Sequence, residues 1–451
     1  MKGNYLSKWT ILLLLLVCAW YGRNLDAWGK NKIIQNDVVS YYAYLPAGII
    51  FNDLTFSFTQ DLPSDFEGTI WLQTAPNGKP ILRMTMGLAI LWIPFFLMAH
   101  ATAHAIGVSA LGYSWPYSLS IFVAALFYLF AGLYYLRKIL LQYVSDVVAA
   151  IVLTVVVLAT NLMYYVISEP GMTHVYNFTL ITIFLYFTIN WINKPSFKNS
   201  LFLGFLAGLI ILIRPVNGIV LLFPALIGIT SFKDFLSRIG DKWKMILVAA
   251  IAVLLVLFPQ MLYWKAQTGH YIFNSYMDAG VFYFQDPDII NGLFSYRKGW
   301  LIYTPVMIFG LTGLIWMRKK APALLLPVLL FVMLNIYIIY SWWCWWYGGS
   351  YGSRPMIDSY GIFAIPMAVF IQKALSGRQW MRWGITVLLL GFLLLNQFQM
   401  TQYRTSLLHW DSMTKEAYWG IFGRTTFPEG YAQMIKVPDY EKALKGEKEY
   451  P

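Results

Sequence analysis

Apolar runs, each close to the length of a membrane-crossing helix and separated by short basic clusters, dominate this 451-residue chain. A helix needs about 20 apolar residues to cross a bilayer, fewer where spans pack in pairs. Clear runs lie near 9–22, 116–136, 147–167, 175–192, 243–263, 300–317, 322–341, 359–372 and 383–400. Residues 200–230 form a longer run, broken by Arg214-Pro215-Val216-Asn217-Gly218. Proline and glycine disrupt a helix, so two short spans are expected there. Residues 81–106 are apolar enough to cross but carry Arg83, His100 and His104. Charged residues are 12% of the chain, about half the ~25% of soluble domains, which excludes a soluble enzyme, a disordered scaffold and a collagen-like fibre. The fold class is an all-α polytopic membrane protein.

Positive charge arbitrates the topology, because loop Lys and Arg favour the cytoplasmic side. If 81–106 lies in or on the membrane without crossing and 200–230 crosses twice, every basic cluster falls on one side. These are Lys2/Lys8, Arg137/Lys138, Lys194/Lys198, Lys233/Arg238/Lys242/Lys244, Arg318/Lys319/Lys320 and Lys373/Arg378/Arg382. The alternative, with 81–106 crossing, puts Arg137, Lys138, Lys194 and Lys198 outside. The first arrangement is favoured and has about eleven spans. The start of the chain reads as an uncleaved anchor with its N-terminus in the cytoplasm. Outer loops then cover 23–80, 168–174, 264–299 and 342–358. Residues 1–400 form the polytopic domain and 401–451 an extracytoplasmic tail. The net charge of +12 is topogenic on this reading, with no nucleic-acid partner. Cys18 and Cys344 are far apart and are expected as free thiols.

The first outer loop carries Asp37 ahead of Tyr41, Tyr42, Tyr44 and Pro46, an amphipathic stretch suited to the membrane surface. An acid beside tyrosines there is a candidate general base or metal ligand; Asp53, Asp61 and Asp65 read as solvated. Ser168-Glu169-Pro170-Gly171-Met172-Thr173-His174 puts a second carboxylate and an imidazole at the end of a span, where ionisable groups are often functional. Capping and interfacial roles are the plain alternatives. A divalent metal held by Asp37, Glu169 and His174 is the one cofactor considered. Lys79 lies where it can meet a lipid phosphate or simply snorkel. His100 and His104 share a helix face, which permits a metal, although core histidines are the plainer expectation.

The densest polar and aromatic cluster starts at Ser341 and reads SWWCWWYGGSYGSRPMIDSYG. Its tryptophans, Trp345 and Trp346 included, and Tyr347 suit either an interfacial belt or a sugar-lining surface. Arg354 offers a rigid fork for phosphate, with Asp358 as its expected partner. Arg297 and Lys298 can hold an anionic headgroup, or be ordinary loop charge. Arg214 reads mainly as a helix terminator.

Taken together, these residues resemble the GT-C superfamily of membrane glycosyltransferases, nearest the protein O-mannosyltransferase and aminoarabinose transferase branch. That branch has an Asp-Glu-x-x-Tyr pattern early in its first outer loop; here Asp37-Val38-Val39-Ser40-Tyr41 matches, with Val38 in place of Glu. Its Lys-Pro-Pro segment opens a juxtamembrane helix; here Lys79-Pro80-Ile81 stands in that place. Glu169 occupies the position of an acid in the family's second outer turn, and the paired short spans at Arg214-Pro215 are also similar. No DxD motif is present in the loop. The likeness covers roughly 1–230.

The resemblance implies a GT-C-like fold and a sugar donor linked to polyprenyl phosphate, presented from the outer leaflet, with a glycan, lipid or protein as acceptor. Asp37 would act as general base in an inverting transfer. Lys79, Arg297, Lys298 and Arg354 would stabilise the departing phosphate. Glu169 and His174 would orient the acceptor or hold a metal, with Tyr41, Tyr42, Trp345, Trp346 and Tyr347 lining the substrate. A bacterial inner membrane is the expected location. A lipid or solute transporter or flippase, and a non-catalytic subunit of envelope polysaccharide assembly, are the alternatives.

Overall fold

The computed structural model describes residues 5–29, 32–62, 66 and 68–448. Lys2 and Asp65, two of the charges read above, lie outside the described residues. The architecture is that of an all-α membrane protein. Two two-residue strands, Gln73–Thr74 and Pro80–Ile81, pair antiparallel, and nearly all other regular structure is helical.

The helices in chain order begin with α1 (Leu6–Leu25), α2 (Asp37–Tyr42), α3 (Gly87–Ile106), α4 (Trp115–Leu140), α5 (Asp146–Leu158) and α6 (Leu162–Ile167). They continue with α7 (His174–Asn193), α8 (Phe197–Ile213), α9 (Leu222–Leu226), α10 (Phe232–Thr268), α11 (Ile289–Phe294) and α12 (Trp300–Tyr303). The last are α13 (Ile308–Lys320), α14 (Pro322–Tyr340), α15 (Tyr360–Leu375), α16 (Gln379–Arg404), α17 (Lys415–Ile421), α18 (Tyr431–Met434) and α19 (Tyr440–Leu444). Among the described residues, eight helices are long and apolar enough to cross a membrane: α1, α3, α4, α7, α10, α14, α15 with its lead-in from Arg354, and α16. Exposed apolar side chains such as Leu13, Trp20, Leu255, Trp383 and Leu394 clothe α1, α10 and α16. Such a face is stable only against lipid or another apolar surface.

Local chemistry explains where the helices depart from the apolar runs. The 200–230 run breaks as expected: α8 stops at Ile213, Pro215–Leu221 forms a 3₁₀ turn, and α9 follows. The 147–167 run is not one span. The Thr160 hydroxyl donates to the Val156 carbonyl and accepts from the Leu162 amide, which ends α5 and restarts the chain as α6. The 300–317 run is split by Pro305 into α12, a 3₁₀ turn and α13. The 243–263 run is extended into the 37-residue α10. A reciprocal capping box between Ser231 and Asp234 starts that helix early, and Gly269 in the left-handed conformation ends it.

Close contacts fix the directions. Gly132 of α4 meets Phe178 of α7, Gly361 of α15 meets Thr182 of α7, and Gly313 of α13 meets the Pro366 carbonyl of α15. These four helices run side by side and finish at basic residues: Arg137/Lys138, Lys194, Arg318–Lys320 and Lys373. Helices α8 and α10 start at that same basic end. Lys242 donates to the Ile192 carbonyl, and Arg238 donates to carbonyls of Pro224, Ala225 and Ile227. They then run parallel to each other along a seam where a Cβ on Gly204 would strike the Ala249 carbonyl. Small residues at such a seam let two backbones approach.

Helix α3 follows from this frame. The segment before it lies along the far end of α10, where the Met86 amide donates to Gln260 and the Leu82 amide to the Tyr263 hydroxyl. Gly87 abuts Ile213 at the end of α8. From there α3 runs antiparallel to the first half of α4, with Phe95 on Tyr128 and Phe96 on Tyr117. Its last turns therefore lie beside the start of α4, opposite that helix's basic terminus, while its first turns lie beside the end of α8 and the middle of α4.

Candidate catalytic site opposite the basic end

Asp37 opens α2 after Asn36, whose φ of 53° makes the sharp turn into the helix. Asparagine tolerates that backbone better than most residues. The turn at 168–173 packs directly on α2, because a Cβ on Gly171 would collide with Val38. The two acids, Asp37 and Glu169, are thereby brought into one neighbourhood. Arg354, at the start of a 3₁₀ turn (Arg354–Ser359), completes it: its Nη2 donates to Asp37 Oδ2 at 3.4 Å. The Asp37 side chain is 36% exposed and that of Arg354 17%, so the pair is open to a ligand.

Glu169 accepts from the Tyr164 hydroxyl at 3.0 Å, and Arg354, Asp37 and Lys298 are its electrostatic neighbours. Burial holds its carboxyl above the usual range, and the Arg354 guanidinium works against that. Tyr41 is buried among Tyr276, Asp37, Arg214 and Arg354; burial pushes its phenol well up. Lys298 is buried, donates to the Ser350 carbonyl, and stands over the Tyr403 ring at 5.2 Å. Burial pushes its ammonium down to about 7, against the pull of Asp411 and Glu169.

A second polar group lies beside the first. Asp358 accepts at Oδ2 from Arg214 Nη1 (2.9 Å), Asn177 Nδ2 (3.0 Å) and Asn217 Nδ2 (2.8 Å). At Oδ1 it accepts from His174 Nδ1 at 2.9 Å. This overturns the expected Arg354–Asp358 pair. The two residues lie four apart in a 3₁₀ turn, where side chains three apart eclipse, so they diverge. Arg214 does end α8, yet its principal contact is this ion pair. An arginine within a long apolar run needs a counter-charge, and that rule would have pointed to Asp358.

Other expected site residues sit elsewhere. His174 turns to Asp358 and packs edge-on against Tyr165, so it is not joined with Asp37 and Glu169 in a metal set. Among the described residues, no three His, Cys, Asp or Glu side chains gather as a metal site. Lys79 is exposed and donates to the Ala266 carbonyl at the end of α10 (3.0 Å), without a described contact to the acids. Tyr42 is a core residue: its hydroxyl donates to the Gly112 carbonyl, and its ring packs among Trp92, Phe96 and Tyr113. Trp345 and Trp346 are buried and form neither a belt nor an open sugar platform.

The tail is the reason. Tyr440 packs on Trp343 and Trp346, and its hydroxyl donates to Asp411 at 2.9 Å. The Tyr283 hydroxyl donates to the Leu444 carbonyl, and Arg297 Nη2 donates to the Lys436 carbonyl. Arg297 is itself buried, stacked 5.3 Å over Trp346. Tyr347, half-buried with φ 57°, donates to the Ile339 carbonyl and faces Arg214 electrostatically. Cys18 and Cys344 are free, as expected.

No family model matches the chain, and no curated protein sequence is similar to it.

Proposed function

We propose that the chain is an inverting membrane glycosyltransferase of GT-C type, moving a sugar from a polyprenyl-phosphate donor to a hydroxyl of a glycan, lipid or protein. The observation that carries this reading is the half-open Asp37–Arg354 pair with Glu169 beside it. In the resting site Arg354 occupies the carboxylate that must act as base. A donor phosphate is a stronger, bidentate partner for guanidinium, so its arrival frees Asp37 when substrate is present. Asp37 then takes the proton of the acceptor hydroxyl. The acceptor oxygen forms its bond to the anomeric carbon from the face opposite the phosphate. The sugar–oxygen bond breaks, and the polyprenyl phosphate leaves with the electron pair, its charge met by Arg354 and, behind it, Lys298. Glu169, which keeps its proton to higher pH than an ordinary carboxyl, serves as a hydrogen-bond donor to sugar or acceptor.

On this reading eleven segments cross the membrane, α3 lies in or on it without crossing, the basic end faces the cytoplasm, and the site faces outward in a bacterial inner membrane. The gathering of basic helix ends supports it. The test is sugar release from polyprenyl-phosphate sugars by purified protein in lipid. Asp37→Asn should abolish turnover while donor still binds. Unchanged turnover in both Asp37→Asn and Glu169→Gln would refute the assignment. Solute or lipid movement in vesicles without any sugar release would replace it with a transporter.

A further inference from the structure

We propose that His100 and His104 form a chelating site for a late first-row divalent cation that accepts tetrahedral geometry, Zn²⁺ foremost, with Cu²⁺ as its paramagnetic probe. The site lies outside the acid–arginine cluster, and the inference does not rest on the transferase reading. The two residues stand one turn apart near the end of α3, and their Nε2 atoms are 3.3 Å apart. Two nitrogens each about 2.0–2.1 Å from one shared metal, and 3.3 Å from each other, subtend an angle of about 105–110°, that of a tetrahedral site.

The tautomer is set by the surroundings. The buried Tyr117 hydroxyl lies 3.1 Å from the Ala110 carbonyl, a partner to which it can give its single proton. The Tyr117 oxygen is 2.6 Å from His100 Nδ1 and, with its proton turned to Ala110, accepts there. In that arrangement His100 carries its proton on Nδ1 and turns the bare Nε2 lone pair to the side of His104. A hydrogen bond of this kind on the remote nitrogen is how proteins orient a metal-ligating imidazole. The His100 ring is further held parallel to Phe96, 6.2 Å away. His104 is exposed, which leaves the remaining coordination positions to water. The pair also lies within the last two turns of α3, which Gly107 closes in the left-handed conformation. The carbonyl end of a helix favours positive charge. Neutral imidazoles without thiolate or carboxylate select late transition metals over Mg²⁺ or Ca²⁺.

Without metal, the same spacing is filled by one N–H···N hydrogen bond between the rings, in which His104 Nε2 holds the proton. Metal binding moves that proton to His104 Nδ1, so no net proton is released. The experiment titrates Cu²⁺ into metal-stripped full-length protein in nanodiscs, reading stoichiometry by chelator competition and ligand atoms by electron paramagnetic resonance. One Cu²⁺ per chain with two coordinated nitrogens is expected. His104→Ala, at an exposed position that leaves the fold intact, should weaken binding at least tenfold. Tyr117→Phe, which keeps both ligands but removes the oxygen that orients His100, should weaken it by roughly 10-fold. Copper with a single nitrogen ligand, equal affinity in His104→Ala, or no stoichiometric binding would each overturn the proposal and leave only the hydrogen bond.

Discussion

Replacing Asp358 tests most directly what holds the site end together. Its carboxylate accepts four side-chain hydrogen bonds, from Arg214, Asn177 and Asn217 on one oxygen and His174 on the other. Those donors come from α7 and from the segment after α8, so one side chain ties three parts of the chain. Removing one partner of a buried ion pair costs roughly 3–5 kcal/mol, because the other charge is left desolvated and unpaired. Interhelical hydrogen bonds inside membranes average only about 0.6 kcal/mol, so the three neutral donors add about 2 kcal/mol. Asp358→Ala should therefore lose about 5–7 kcal/mol, most of it through Arg214. Asp358→Asn keeps the shape but turns a donor toward a donor, and should lose somewhat less. The assay is reversible unfolding in mixed micelles, followed by tryptophan fluorescence. The decisive comparison is the double variant Arg214→Met/Asp358→Leu, which removes both charges and should recover most of the loss. A double variant no more stable than Asp358→Ala, or an Asp358→Ala loss below about 1 kcal/mol, would refute the view that an unpaired Arg214 dominates the cost.

On the proposed transferase reading, Arg354→Lys keeps the charge but loses the fork; sugar transfer should fall by roughly 10²–10³ with donor binding weakened, and wild-type kinetics would remove Arg354 from the proposed phosphate site. Lys298 titrates near 7 when folded against an ordinary 10.5, so the unfolded chain binds the extra proton between those values. The linkage sign follows: stability rises with pH through that window, by up to about 1.4 kcal/mol per unit, and the penalty is fully present below pH 7. Lys298→Met should flatten the dependence of melting temperature on pH above 7; an unchanged slope would show that Lys298 is not its source. Gly204→Ala forces a methyl onto the Ala249 carbonyl and should cost about 1–3 kcal/mol in thermal unfolding. Tyr440→Ala should uncover Trp346, seen as red-shifted emission and faster proteolysis of the tail; unchanged spectra and cleavage would mean the tail is held by its other contacts.

Periodicity and charge made the helical class, the break at Arg214 and the gathering of basic helix ends legible, since each is written in consecutive residues. The helix lengths were less so. The capping box at Ser231 carries α10 beyond its apolar stretch, and Thr160 cuts a run that looks continuous. For the site, the acids Asp37 and Glu169 stood out because ionisable groups are costly at a membrane edge. Their partners did not, because pairing is a tertiary choice: Arg354 reaches Asp37 across 317 positions and Arg214 reaches Asp358 across 144. The tryptophan cluster misled in the same way. Nothing in its own residues tells that Tyr440 will cover it.

Both ion pairs bridge the loop that ends α9 and begins α10. Asp37, His174, Asn177, Arg214 and Asn217 precede that loop, whereas Arg354 and Asp358 follow it. The first half of the molecule brings Asp37 and Arg214, and the second brings Arg354 and Asp358, the opposite charge of each pair. Each half is thus the other's counter-ion. Two such halves made as separate polypeptides would have a charge-matched reason to find one another, and a hybrid assembled from different parents would have to inherit Arg354 and Asp358 together.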